Sequence, residues 1–145
     1  MDFASSALRE FFEHYARSRT AMNIDGIVSQ YADRCMLAAH DGVRVAEKPE
    51  LLEGFPKVLE FLKTVGHTRT SLASFSEASV DEHYAMVRAQ FVWRFEKAAA
   101  LPIDVTVDSA FVLYLKDGVP RIVFHHEHED FGQLLQRRGV IPAQG

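Results

Sequence analysis

Apolar residues recur at three- and four-residue intervals at the start of the chain. Ala4, Leu8, Phe11, Phe12 and Tyr15 lie on one stripe, which predicts an amphipathic helix over 3–18. Asn23 is a natural N-cap for a second, short helix whose apolar positions are Ile24, Ile27, Val28 and Tyr31, ending near Ala32. Residues 34–40 read as a strand, and Asp41-Gly42 followed by Val43 and Val45 signals a hairpin turn. Gly54 then interrupts the pattern. Pro49 and Pro56 each suit a first helical turn, so the sequence predicts a helical turn at 50–53 and a third helix over 56–65, stopped by Gly66. Its expected buried stripe is Val58, Leu59, Phe61, Leu62 and Val65.

After Gly66 the period changes to two. Strands are expected at 68–80, 84–96, 103–116 and 121–129, with turns at Asp81-Glu82 and Asp117-Gly118. In the clearest strand Val87, Ala89, Phe91, Trp93 and Phe95 share one face, and Arg88, Gln90, Arg94 and Glu96 share the other. Short connections make an antiparallel meander. Asp130 and Gln133 resemble a capping box for a terminal helix over 131–138, closed by Gly139. Helices, a hairpin, a helix and then a run of strands is an α+β order, with the helices covering one face of the sheet.

The length of 145 residues fits one domain, 1–145, without repeats or linkers. A net charge of -4 argues against nucleic acid as a partner, since such binding rests on clustered Lys and Arg. A lone cysteine, Cys35, excludes an internal disulfide framework and points to a reducing compartment, the cytoplasm. Neither a leader nor a membrane span is expected from the apolar runs.

The stretches NIDGIVSQYADRCMLAAHDG, LLEGFPKVLEFL and GVPRIVFHHEHEDFGQLLQRRG resemble the nuclear transport factor 2-like, or SnoaL-like, superfamily, over Leu8 to Gly139. The resemblance implies a cystatin-like cone, in which N-terminal helices close over a strongly curved antiparallel sheet. It also implies a homodimer formed through the outer sheet face. The superfamily includes ketosteroid isomerases, polyketide cyclases, dehydratases and epoxide hydrolases beside ligand-binding and scaffolding members, so the fold does not by itself give a function.

The densest candidate chemistry is His125-His126-Glu127-His128. Alternation places His125 with Glu127 on one face and His126 with His128 on the other, each pair about 7 Å apart along the strand. Ile122 and Phe124 fall in phase with His126 and His128. The resemblance instead turns His125 and Glu127 into the cavity, since SnoaL-like cyclases carry a His and an acid at this spacing on the closing strand. In a dry pocket such a pair can exchange protons with a substrate; the alternative is a structural imidazole–carboxylate contact. The resemblance to ketosteroid isomerases, carried through Asp25-Gly26-Ile27-Val28, places Tyr15 where those enzymes keep an oxyanion-hole tyrosine. Their general-base aspartate would fall at Ala39, a departure that argues against a standard steroid isomerase. His40 lies beside that position, either as a replacement base or as a solvated turn residue.

Phe12, Phe61, Phe91, Trp93 and Phe111 are candidate walls for a hydrophobic, cyclic ligand, or plain core. Adjacent strand positions point to opposite faces, so at most two of the His125–His128 run could share an ion, and no metal or other cofactor is expected. Two readings stand: an acid/base enzyme of the isomerase, cyclase or dehydratase type, or a non-catalytic ligand-binding or dimeric interaction module.

Overall fold

The computed structural model describes residues 3–142, and the side chains of 7–142 except that of Lys116. The expected Ala4 contact therefore lies outside the described side chains. Helix α1 (Phe3–Thr20) and the short α2 (Ile24–Val28) lead into strands β1 (Tyr31–Ala39) and β2 (Gly42–Glu47). Helix α3 (Lys48–Thr64) precedes β3 (His67–Ser79), β4 (Tyr84–Phe95), β5 (Ile103–Tyr114) and β6 (Arg121–Glu127), and α4 (Phe131–Arg137) follows. The six strands form one sheet in the order β2-β1-β6-β5-β4-β3.

Three features differ from the sequence expectation. First, α2 ends at Val28, although apolar spacing continues to Tyr31. The chain is captured there by β6: Ile122 N–H donates to the Gln30 carbonyl at 2.8 Å, and Tyr31 pairs with Ile122. Second, α3 is one continuous helix with Pro56 inside it. Leu51, Leu59 and Leu62 form its buried stripe, and their burial offsets the weak helix propensity of Gly54 and Pro56. Val58 and Phe61, expected on that stripe, are about half exposed at 51% and 49%. Third, the sheet is mixed. β3, β4, β5 and β6 form the expected antiparallel meander, but β1 runs parallel to β6. This pairing joins elements far apart in sequence, so no local pattern announces it.

The core lies between α1 and the inner sheet face. Leu8, Phe12, Tyr15 and Ala16 from α1 meet Phe91 of β4 and Phe111 of β5. At Gly66 the chain turns from α3 into β3 with φ 104°, and an added Cβ would stand 2.7 Å from the Glu96 carbonyl, so glycine is required. Asp130 caps α4 by accepting from Gln133 N–H at 2.9 Å. Among the described residues no helix is long and apolar enough to cross a membrane.

Candidate functional site

The last strand decides which groups face inward. Along β5 the inner residues are Ser109, Phe111 and Leu113, which pair with Glu127, His125 and Ile122 of β6. Between His125 and Ile122 the register shifts by one residue at Val123, a β-bulge. Ile122, His125 and Glu127 thus share the inner face, whereas His126 turns outward and hydrogen-bonds the Ala38 carbonyl at 3.0 Å.

His125 sits at the centre of a continuous hydrogen-bonded chain. Its ring stacks on Phe111 with centroids 4.4 Å apart. Its Nδ1 lies 3.0 Å from Tyr31 Oη, and its Nε2 lies 2.9 Å from Glu127 Oε1. Arg19 Nη2 donates to Tyr31 Oη at 3.2 Å, and Ser109 Oγ donates to Glu127 Oε2 at 2.9 Å. The ends of this chain fix its direction. Guanidinium can only donate and carboxylate can only accept. With the imidazole neutral, Nε2 therefore carries the proton given to Glu127, and Nδ1 accepts from the Tyr31 hydroxyl. Both His125 nitrogens are then engaged, and the basic group left facing open space is the Glu127 carboxylate.

Arg19 is the anchor of the chain. It is 3% exposed and has no carboxylate within 4 Å among the described residues. Its guanidinium lies over the Tyr15 ring, 3.3 Å from the centroid, and Nη1 donates to the Tyr15 carbonyl. A cation so placed favours anions nearby. Burial opposes ionisation of Glu127, yet hydrogen bonds from His125 and Ser109, the charge of Arg19, and that of His125 whenever its imidazole is protonated, hold its carboxyl below the usual range. Burial pushes the Tyr15 hydroxyl well up and the Tyr31 hydroxyl up, the nearby Arg19 charge only partly opposing it, so both remain protonated phenols.

Beside this chain lies a cavity of about 560 Å³, a usual size for a small-molecule site. Tyr31, His125 and Glu127 form its polar end. Leu37, Ala38, Ala39, Val43 and Phe55 form its apolar wall, while Asp41 and Arg44 stand at the β1–β2 hairpin. Small residues, Ala38, Ala39 and Gly42, stand at the hairpin side of the cavity, and Phe55 comes to it from α3.

The aromatic residues expected on the wall lie elsewhere. Phe12, Phe91 and Phe111 are fully buried and interlocked, with Phe12 and Phe111 centroids 4.7 Å apart, and they form the packed interior. Trp93 packs between His67 and Phe131, at 4.9 and 5.1 Å. Phe61 is on the exposed side of α3. Tyr15 is buried behind the site, its ring 6.3 Å from His125, and does not line the cavity. His40 is exposed, 3.8 Å from Asp130 and outside the cavity. Sequence reasoning did not single out Tyr31, Arg19 or Ser109. Arg19 carried a signal, since it continues the apolar stripe of Leu8, Phe12 and Tyr15 at a helical interval. Among the described residues no three His, Cys, Asp or Glu side chains gather as metal ligands do.

No family model matches the chain, and no curated protein matches it in sequence. Solved structures do resemble it. Aln2 from a Streptomyces species superposes with a TM-score of 0.74 at 11% identity, over 95% of this chain and 99% of that one. An NTF-2-like protein from Shewanella oneidensis gives 0.69 at 14%, over 88% and 100%. An NTF2-like protein with a cystatin-like fold from Novosphingobium aromaticivorans gives 0.69 at 12%, over 83% and 77%. The chain has the nuclear transport factor 2-like, cystatin-like α+β fold.

Proposed function

We propose that the protein takes a hydrophobic cyclic small molecule into the β1–β2 cavity and performs cofactor-independent acid/base chemistry on it, of the isomerase, cyclase or dehydratase type. The observation that carries this reading is a carboxyl group, Glu127, hydrogen-bonded by His125 and Ser109 at the inner end of a largely apolar cavity. The Glu127 carboxylate accepts a proton from the substrate, becoming the carboxylic acid, and returns it to another substrate atom or to a departing hydroxyl. His125 steadies the carboxylate and stabilises its charge, and Tyr31 rather than Tyr15 is the phenol in position to support the imidazole. A thermal-shift screen of cyclic ketones, phenols, polyketide fragments and epoxides, with wild type and Glu127→Gln, tests it. A ligand class that shifts wild type and is turned over only with Glu127 present supports the reading; binding without turnover in either protein leaves a ligand-binding module in its place.

The same reading includes a homodimer through the outer sheet face. One apolar row crosses all six strands there in register: Val45, Met36, Phe124, Val112, Met86 and Ala78. Met86, Val45 and Met36 are 53%, 52% and 43% exposed. An exposed apolar stripe of this kind suits a second copy of itself. Sedimentation velocity should find a dimer that Met86→Glu dissociates; a monomeric wild type would remove this part of the proposal.

A further inference from the structure

Resting on that reading of the cavity, the geometry points to the class of ligand: a neutral ring compound whose hydroxyl group, phenolic or alcoholic, donates a hydrogen bond to Glu127. The polar end of the cavity offers three side chains, and with His125 neutral none has a hydrogen to spare. The Tyr31 hydroxyl hydrogen is directed to His125 Nδ1 because Tyr31 Oη already receives Arg19. The His125 Nε2 hydrogen is directed to Glu127 Oε1. Ser109, behind Glu127, spends its hydrogen on Oε2. What remains open are lone pairs on the Glu127 carboxylate. An arrangement with acceptors only meets a ketone or an ether with lone pair against lone pair, and it meets a hydroxyl with a charge-assisted bond.

Charge selects between donors. Arg19 is buried beneath Tyr31 without a carboxylate of its own and already offsets Glu127, so an ammonium ion would enter a place whose negative charge is answered. Arg44, the cation among the lining residues, is at the mouth, 63% exposed and paired with Glu50 at 3.3 Å, so it supplies no donor to the polar end. The groups facing His125 are Tyr15 and Arg19 from α1, Tyr31 from β1 and Glu127 from its own strand. If His125 is protonated, Nδ1 becomes a donor, the Tyr31 hydrogen is no longer tied to it, and the preference for donors weakens.

Matched bicyclic probes test this. Titrations followed by protein NMR would use 2-naphthol, 2-methoxynaphthalene, 2-tetralone and 2-naphthylmethylamine, at a pH where the ring nitrogens of His125 report the neutral form. We expect 2-naphthol to bind about tenfold or more tighter than the ether and the ketone. At a pH where His125 is protonated the gap should narrow, and in Glu127→Gln, whose amide can donate, the ketone should gain on the naphthol. An ether or ketone that perturbs cavity residues as tightly as 2-naphthol overturns the hydroxyl assignment and leaves the cavity reading standing. A tightest-binding amine replaces the neutral class with a cationic one. If no probe perturbs the cavity residues, the cavity reading falls and this inference with it. The wild-type comparison decides these outcomes even if the variant does not fold.

Discussion

Ile122 and His125 are three residues apart on β6 and face the same side of the sheet, because the bulge at Val123 adds one residue between them. Strict alternation would have put them on opposite faces. Ile122 is fully buried against Leu113 while Val123 is partly exposed. Ile122→Ala should therefore cost about 2–5 kcal/mol in urea denaturation, and Val123→Ala markedly less. Equal costs would mean the bulge is placed elsewhere.

Tyr31→Phe keeps the ring and deletes the oxygen between Arg19 and His125. It strands a buried guanidinium donor and an imidazole acceptor, so a loss of about 1–3 kcal/mol is expected. The neutral imidazole should keep its proton on Nε2, because Glu127 still demands it. Nitrogen chemical shifts of His125 report both protonation sites.

Removing the positive charge at Arg19 should raise the pKa of Glu127, since that charge is one of the influences holding it down. Arg19→Met followed by carboxyl carbon NMR across acidic pH measures the direction. Glu127 titrating at the same place in both proteins would show that Arg19 acts on packing alone.

Acid should weaken the fold in two stages. His67 is buried between Trp93 and Phe95 and shares a 2.8 Å hydrogen bond with Thr70, and burial lowers its pKa from 6.5. A group depressed on folding leaves the unfolded chain binding more protons, so stability begins to fall as pH drops through about 6.5. Glu127 is also depressed; its contribution is present above the ordinary carboxylate range and is lost as pH falls through its native pKa. Denaturation midpoints against pH should show both, with His67→Gln removing the upper stage and Glu127→Gln the lower.

Gly54 lies inside α3, and a Cβ there meets nothing within 4 Å. Gly54→Ala should stabilise by about 0.5–1 kcal/mol. Calorimetry should see Tm rise by roughly 2–4 °C. A fall would indicate that the helix is interrupted there after all.

Local rules made most of the fold legible. Leu8, Phe12 and Tyr15 announced α1, the strand from Tyr84 announced its own faces, and Asp41-Gly42 and Asp130 marked a turn and a cap where they occur. The misread places are those where a distant partner overrides local preference. Tyr31 continues a helical spacing, yet β6 recruits it into a strand. Gly54 and Pro56 read as a break, yet the leucine stripe holds one helix across them. At the candidate site the apolar pattern favoured His126 and His128, and it was the resemblance that turned His125 and Glu127 inward, to the face on which the bulge at Val123 puts them. The phenol that reaches them was assigned to Tyr15 because the distinction between Tyr15 and Tyr31 depends on a parallel strand pairing that no neighbouring residues encode. The aromatic residues expected on the wall are not among those lining the cavity, because Phe12, Phe91 and Phe111 pack on one another.

The mouth of the cavity hangs from β2, the strand at the sheet's edge, whereas Arg19, Ser109, His125 and Glu127 sit inboard on α1, β5 and β6. Edge hairpins accept changes in length and composition that interior strands do not. If the proposed function holds, selectivity and proton handling are under separate hereditary control. On that reading a lineage carrying this chain could trade one guest molecule for another by rewriting a few residues around the β1–β2 hairpin, and pass on the buried residues beneath it unchanged.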